Sequence, residues 1–476
     1  MPMRRRACGH VARRARLLWF ARPVTHSLPA LLGRHQAHDP VTTGPEPRSA
    51  ARFWADVRAI AAHLPELGRG DRGGRSELVL VCHDRYLFAA SMLAAWERGY
   101  VVALPPNAQP AMVTALRKSG TVQTVLHDVD DMAGLDVRAI VASRPEPNGE
   151  VYAPPAPLAS DRRIVVVYTS GTTGAPTACP KTAGQLVGEA RTLARTFAIG
   201  RGDRVLATVP PHHIYGLLFG VLVPLVSGAS FARETVLHAE PLAELIARDQ
   251  TRVLVSVPAH LRALRVLEPG RIEGVARVFS SGAPLPADTS EDLRERFGWS
   301  VTEVLGSSET GGIAWRDRAG APWTPLEGVK VREGEGGRML IDSPFLDPGV
   351  SRPYVGGDRV AVLDEGRFHH LGRVDGVLKV GSTRVSIAEL EARLLAIPGV
   401  SDAAALAIEV GGARGWESWA AVVAPDHTAQ TIRAALLPWL DPVVIPRRIR
   451  IVDALPRDPG TGKLRRESLR ALFQSE

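Results

Sequence analysis

The chain has 476 residues and 51.1 kDa, with 45% hydrophobic and 23% charged residues, which supplies core for two or more domains and excludes wholesale disorder. The formal charge of +8 would suggest a nucleic-acid or membrane partner, but it is concentrated at one end: Arg4, Arg5, Arg6, Arg13, Arg14, Arg16 and Arg22 all precede the first acid, Asp39, and the rest is nearly neutral. Aromatic residues are only 5% of the chain, too few for base-stacking platforms, so nucleic acid is not an expected partner.

In chain order, residues 1–23 read as a basic disordered arm. Its apolar centre, Leu17 to Ala21, is too short for a signal-peptide core, and the alternative of an organellar transit peptide is outweighed by composition. All but five of the 58 basic residues are arginine, beside 45 Gly and 37 Pro, a bias that points to GC-rich bacterial coding. From about Leu28, short apolar runs alternate with helical patterns. The runs are Glu77 to Cys82, Val101 onward, Ile164 to Tyr168, Arg204 to Pro210, Arg252 to Pro258 and Arg277 to Ala283, and a helix is expected over Arg85 to Arg98. Buried strands alternating with helices indicate an α/β fold of helix-covered, mostly parallel sheets. The longest apolar stretch, Gly216 to Ala229, falls short of the ~20 residues a bilayer span needs and contains Pro224, so it reads as a core helix.

After about Gly337, short runs and a hairpin signal at Asp364-Glu365-Gly366 predict antiparallel strands. From Gly372 a small α+β unit follows, with helices predicted over Ile387 to Ile397 and Thr431 to Leu440 and strands over Ala403 to Ile408 and Trp419 to Val423. The three cysteines, Cys8, Cys82 and Cys179, form no CxxC pair or metal-ligand spacing, so a reducing, cytoplasmic location is expected and a structural zinc site is not.

Two nucleotide signatures fail on context. Gly68, Gly70 and Gly73 fit G-x-G-x-x-G but precede a strand, where the dinucleotide fingerprint follows one. Gly462-Lys463 resembles the end of a P-loop, yet Arg457 stands where the first glycine belongs and Leu464 where a hydroxyl would hold magnesium. More informative is Tyr168-Thr169-Ser170-Gly171-Thr172-Thr173-Gly174, directly after an apolar strand. Glycines there leave backbone N–H groups free to surround an anion and the hydroxyls add donors, although a solvent loop would share the composition.

With that segment the chain resembles the adenylate-forming superfamily of acyl-CoA synthetases, nonribosomal adenylation domains and luciferases. The resemblance continues in order through Pro211 to Gly216, Ser280 to Pro286, Leu305 to Gly312, Tyr354 to Asp358, Leu371 to Gly376 and Gly460 to Arg466. The short forms that load aryl or acyl groups onto carrier proteins look most similar. Membership implies that a carboxylate attacks the α-phosphate of ATP to give an acyl- or aryl-adenylate, and that a thiol then displaces AMP. It implies a large N-terminal AMP-binding domain, 24–372, with a small antiparallel barrel-like part, and a small mobile C-terminal domain, 373–476, that rotates between half-reactions.

The resemblance also assigns roles. Thr169, Ser170, Gly171, Thr172, Thr173 and Gly174 would hold the β- and γ-phosphates, Glu309 would bind Mg2+ and Ser308 would touch the α-phosphate. Ser281, Gly282 and Ala283 would line the adenine site, Asp358 would accept from the ribose hydroxyls with Arg373 beside it, and His213 would close the acyl pocket. Lys463 would bridge the carboxylate and α-phosphate, Asp375 would be the hinge, and Lys379 and Arg384 would face the site during thiol transfer. Substrates and partners implied are ATP, Mg2+, a small aromatic or aliphatic acid, and a phosphopantetheine thiol on an acyl carrier protein or, alternatively, CoA. A nucleotide-binding pseudoenzyme is the reading of another class. Three departures stand out. Thr177 follows Pro176 where a lysine is usual, with Lys181 four residues on, either substituting or exposed; Leu305 replaces an adenine-stacking aromatic; and Ser382 replaces a glycine near the thiol path.

Overall fold

The computed structural model describes residues 31, 33–67, 76–118, 121–143, 152, 156–169, 176–373, 378–380, 383–385, 387–410, 416–456, 464 and 466–473. The basic arm, Ser170 to Gly174, Asp375, Ser382 and Lys463 therefore lie outside the described residues.

The first sheet contains β1 (Glu77–Val81), β2 (Val101–Leu104), β3 (Val122–His127), β4 (Leu135–Asp136), β5 (Arg163–Thr169) and β6 (Thr177–Thr182), in the order β4-β3-β1-β2-β5-β6. All pairings are parallel except β5 with β6. The sequence pattern does not mark β6, because TACPKT carries Pro180 and Lys181. Its place at the sheet edge explains the proline: an edge strand tolerates a missing N–H.

The second sheet contains β7 (Arg204–Ala207), β8 (Ser230–Phe231), β9 (Val253–Ser256), β10 (Arg277–Ser280), β11 (Val301–Ser307), β12 (Gly311–Arg316) and β13 (Thr324–Pro325), in the order β13-β12-β11-β10-β9-β7-β8. It is parallel from β8 to β11, with β12 and β13 added antiparallel. A curled antiparallel sheet follows, made of β14 (Lys330–Glu333), β15 (Arg338–Asp342), β16 (Tyr354–Val362) and β17 (Phe368–Arg373). The turn between the last two falls at Asp364–Gly366, as the hairpin signal predicts, with Glu365 at φ 62°.

The helix Arg85–Glu97 is buried along its whole length up to Trp96, the condition of a helix enclosed on every side. Asp84 caps it by accepting from the N–H groups of Tyr86 and Leu87. Its first residue, Arg85, is fully buried and links it to the second sheet. The guanidinium donates to the carbonyls of Ala207 and Val209 after β7, to those of Ala232 and Glu234 after β8, and to Thr235 Oγ1, all at 2.9–3.1 Å. One core joins both sheets across this helix, from Leu78 and Phe88 to Phe219, Phe279 and Ile313. The apolar stretch near Gly216 is a buried helical segment, Ile214 to Ser227, with a π turn at Leu218–Leu222. No described helix is long and apolar enough to cross a membrane.

Toward the C-terminus, β18 (Leu378–Val380) and β19 (Thr383–Val385) form a two-stranded ribbon, and β20 (Asp402–Glu409), β21 (Trp416–Val423) and β22 (Arg448–Ile451) a three-stranded sheet. One face of the latter packs on the helices Ile387–Leu395 and Ala429–Leu436, the other on the helix Arg466–Ala471, through clusters separate from the main core. A hydrogen bond from Asn107 Nδ2 to the Trp439 carbonyl, 3.1 Å, joins this unit to the body.

Candidate active site

Several of the described candidate residues stand at or after the ends of strands in the two large sheets, the usual place of a ligand crevice in α/β folds. Thr169 closes β5, Ser281 to Ala283 follow β10, and Ser308 and Glu309 follow β11. At the end of β10, Ser281 Oγ donates to the Val304 carbonyl at 2.7 Å, fixing the loop against β11, and Gly282 takes φ +90°, a value that favours glycine. Leu305, where the resemblance leads one to expect an aromatic, is half-buried and packs against the main core.

The turn bearing Glu309 is tightly specified. Gly306 pairs with Gly312 at the β11–β12 junction, where a Cβ on Gly306 would stand 2.7 Å from the Gly311 carbonyl. Ser307 Oγ bonds the Thr310 hydroxyl at 3.0 Å and accepts from the Thr310 N–H at 3.2 Å, closing the loop. Lys181 neither replaces the missing loop lysine in an open position nor projects into solvent. It is 2% exposed, and Nζ donates to the Glu309 carbonyl at 2.9 Å and the Phe345 carbonyl at 3.2 Å. The β5–β6 hairpin, whose connection is 170–175, is thereby tied to the Glu309 turn. Desolvation lowers the lysine's pKa, with Glu189 first among the groups opposing the shift. Glu189, on the helix Ala183–Thr196, is itself pushed up to about 7 by burial. The sequence analysis did not single it out.

Asp358 on β16 and Arg373 on β17 are Cα partners in register, as their expected neighbourhood requires. His370, not singled out from sequence, stands with Nε2 3.2 Å from Asp358 Oδ1. Lys379 and Arg384 are likewise directly opposed across the β18–β19 ribbon.

His213 is the residue before the helix Ile214–Leu217, its ring 4.3 Å from that of His212. Gly216 is needed there, because a Cβ would meet the Pro210 carbonyl at 2.1 Å. Nearby, sequence reasoning missed a polar row: Thr208 Oγ1 is 2.9 Å from both Ser256 Oγ and His260 Nδ1, and Ser256 is in register with Ser280. Burial pushes the His213 imidazole down to about 4, and burial together with His213 holds His212 well below its ordinary value. An unfolded histidine takes up its proton near pH 6.5. Stability conferred by the neutral folded rings is therefore fully present above that pH and lost as pH falls from 6.5 toward 4. His213→Gln is expected to flatten the fall in thermal midpoint between pH 7 and pH 5; an identical slope in mutant and wild type would refute the assignment.

Among the described residues no group of three or more His, Cys, Asp or Glu side chains could cage a metal unaided. A single carboxylate beside hydroxyls, as at Glu309, fits a cation that brings most of its ligands as phosphate oxygens and water.

A family model described as AMP-binding enzyme matches residues 34–382. The chain is 33% identical to a 4-coumarate–CoA ligase of Rhodobacter capsulatus over 305 residues, 62% of this chain and 74% of that protein. It is 26% identical to an L-proline–[L-prolyl-carrier protein] ligase of Pseudomonas fluorescens over 466 residues, 87% and 92% of the two. In structure it is similar to an o-succinylbenzoate CoA synthetase from Bacillus subtilis, with TM-score 0.80, 19% identity and coverage of 94% of this chain and 98% of that one.

Proposed function

Since the chain belongs to the AMP-binding enzyme family and is an ATP-dependent, adenylate-forming acid ligase, we propose that it activates a small aromatic or aliphatic carboxylic acid and passes the acyl group to the phosphopantetheine thiol of a carrier protein. The observation that carries this reading is the Lys181 bond to the Glu309 carbonyl, which sets the β5–β6 hairpin beside the metal-ligand turn. A carboxylate is a poor electrophile because its leaving group would be oxide; forming a bond from its oxygen to the α-phosphorus, with loss of pyrophosphate, supplies AMP as a better one. Anionic oxygens crowd the phosphorus in that step, so the site's task is to place cations and oriented donors.

In this reading Ser308 contacts the α-phosphate, Thr169 and residues 170–174 hold the β- and γ-phosphates, and Lys463 bridges carboxylate and α-phosphate. Ser281 to Ala283 take the base, Asp358 takes the ribose with Arg373 and His370 alongside, and His213 bounds the acyl pocket. Mg2+, held through Glu309, neutralises phosphate charge. Residues 373–476 then rotate about Asp375 and bring Lys379 and Arg384 to the site, where the thiol sulfur attacks the acyl carbon and AMP departs.

Carrier-protein transfer is supported by the prolyl-carrier relative and by Ser382 at the thiol path. A second reading, transfer to free CoA, is supported by the 4-coumarate–CoA ligase relative. An ATP–pyrophosphate exchange screen over aromatic and aliphatic acids, followed by product mass with CoA and with phosphopantetheinylated carriers, tests both. Exchange with at least one acid and faster loading of a carrier are expected. Faster loading of CoA than of every carrier would reverse the acceptor, and no exchange with any acid would refute the substrate class.

A further inference from the structure

Two buried side chains of opposite charge hold the Glu309 turn from beneath. Lys181 Nζ donates to the Glu309 carbonyl at 2.9 Å, and Glu189 Oε1 accepts from the Gly312 N–H at 2.5 Å, three residues further on. Each is 2% exposed. They come from adjoining elements, because Thr182, between β6 and the helix Ala183–Thr196, caps the helix in a reciprocal box with Gln185. The turn is also shaped to admit the glutamate. Gly311, at φ +69°, would place a Cβ 2.4 Å from Glu189 Oε2, and a Cβ on Gly312 would stand 3.0 Å from Oε1 and 2.7 Å from Leu326 Cδ1. Lys181 extends the grip by donating to the Phe345 carbonyl, between β15 and β16.

Closing a short hairpin does not require this arrangement, since Ser307 and Thr310 already bond within the turn. Burying a lysine and a glutamate is costly unless their bonds compensate, and apolar side chains of similar volume would fill the space. What the two buried anchors add is a fixed main-chain position at the residue that bears the carboxylate and another three residues on. Groups that orient a metal ligand typically influence metal affinity by ~10–100-fold.

We propose that Lys181 and Glu189 are positioning residues that fix the backbone at the Glu309 carbonyl and three residues beyond it, and so aim the Glu309 carboxylate at the divalent cation carried by the nucleotide. The proposal rests on the assignment of Glu309 as metal ligand. Lys181 thus serves the phosphate site from below, through the main chain, without touching the nucleotide.

Lys181→Met, Glu189→Ala, Glu189→Gln and Glu309→Gln are compared in the full chain by three measurements. These are the Mg2+ dependence of pyrophosphate exchange, calorimetric ATP binding with and without Mg2+, and hydrogen exchange of the metal-free protein over 307–312. Lys181→Met and Glu189→Ala are expected to raise half-saturating Mg2+ by ~10-fold or more, to leave metal-free ATP binding within about twofold, and to speed exchange at Gly312. Glu189→Gln keeps an oxygen acceptor but not the carboxylate, so it should recover most of the loss and retain a smaller rise in half-saturating Mg2+; if the other two do not fold, a Mg2+ dependence in Glu189→Gln identical to wild type overturns the positioning role. Unchanged Mg2+ dependence in folded Lys181 and Glu189 variants, with Glu309→Gln impaired, overturns the positioning role alone. Unchanged Mg2+ dependence in Glu309→Gln overturns the metal-ligand assignment and the inference with it. Equal weakening of ATP binding with and without metal would reassign the pair to general support of the fold.

Discussion

Replacing Lys463 by alanine is expected to slow adenylation by ~10²-fold or more, because loss of a comparable transition-state donor costs ~2.7–4 kcal/mol. The reacting groups are both anions, a carboxylate and a triphosphate. Lysine supplies a compact positive charge where negative charge accumulates, and the chain has only five lysines to place. Thioester formation from a supplied acyl-adenylate should survive, since in the proposed mechanism the second half-reaction uses another orientation of the C-terminal unit. Pyrophosphate exchange measures the first step, and acyl transfer from synthetic adenylate the second. Equal loss in both would contradict the rotation between half-reactions, and loss confined to the second would assign Lys463 to thiol transfer.

Arg85→Met is expected to destabilise the chain by at least ~3 kcal/mol, the largest stability effect anticipated for a single substitution outside the site. The buried guanidinium donates to four carbonyls and a hydroxyl at the ends of β7 and β8. Methionine would occupy similar volume but leave the buried carbonyls of Ala207, Val209 and Ala232 without this donor, each at a cost of ~1–3 kcal/mol before relaxation. Burial already lowers the arginine's pKa to about 10, still far above neutrality, so it stays charged. Arg85→Lys should recover only part of the loss, because an ammonium offers three donors in place of a planar fork of five. Urea unfolding followed by circular dichroism checks this. A midpoint unchanged in Arg85→Met would show that the two sheets are held together by apolar packing alone.

Six of the parallel strands, β1, β2, β5, β7, β9 and β10, are legible because each is a short apolar run flanked by a helical pattern, such as IVVVY for β5 and RVLVSVP for β9, whereas β3, β4, β8 and β11 are not marked in this way. The 364–366 turn and the helices of the C-terminal unit follow from equally local chemistry. Strand β6 was not legible, since Pro180 and Lys181 contradict a buried strand; the edge position accommodates the proline, and carbonyls of two distant loops accommodate the buried lysine. Glu189 looks like one more polar residue of an amphipathic helix; its partner, Gly312, lies 123 positions away. His370 became relevant only when the β16–β17 pairing set it against Asp358.

What the sequence determined by itself was the family and the alternating α/β architecture, together with the residues proposed to meet phosphate, ribose and metal, because these are written in short contiguous segments whose chemistry is local. What only the tertiary structure decided was which charges are buried and what they hold. Along the chain Lys181 reads as a substitute for the loop lysine or an exposed residue, and Arg85 as the ordinary start of a helix. Each becomes an anchor because folding removes it from water and leaves main-chain carbonyls from distant strands as its partners, a cost and a compensation that exist only once those strands are packed together.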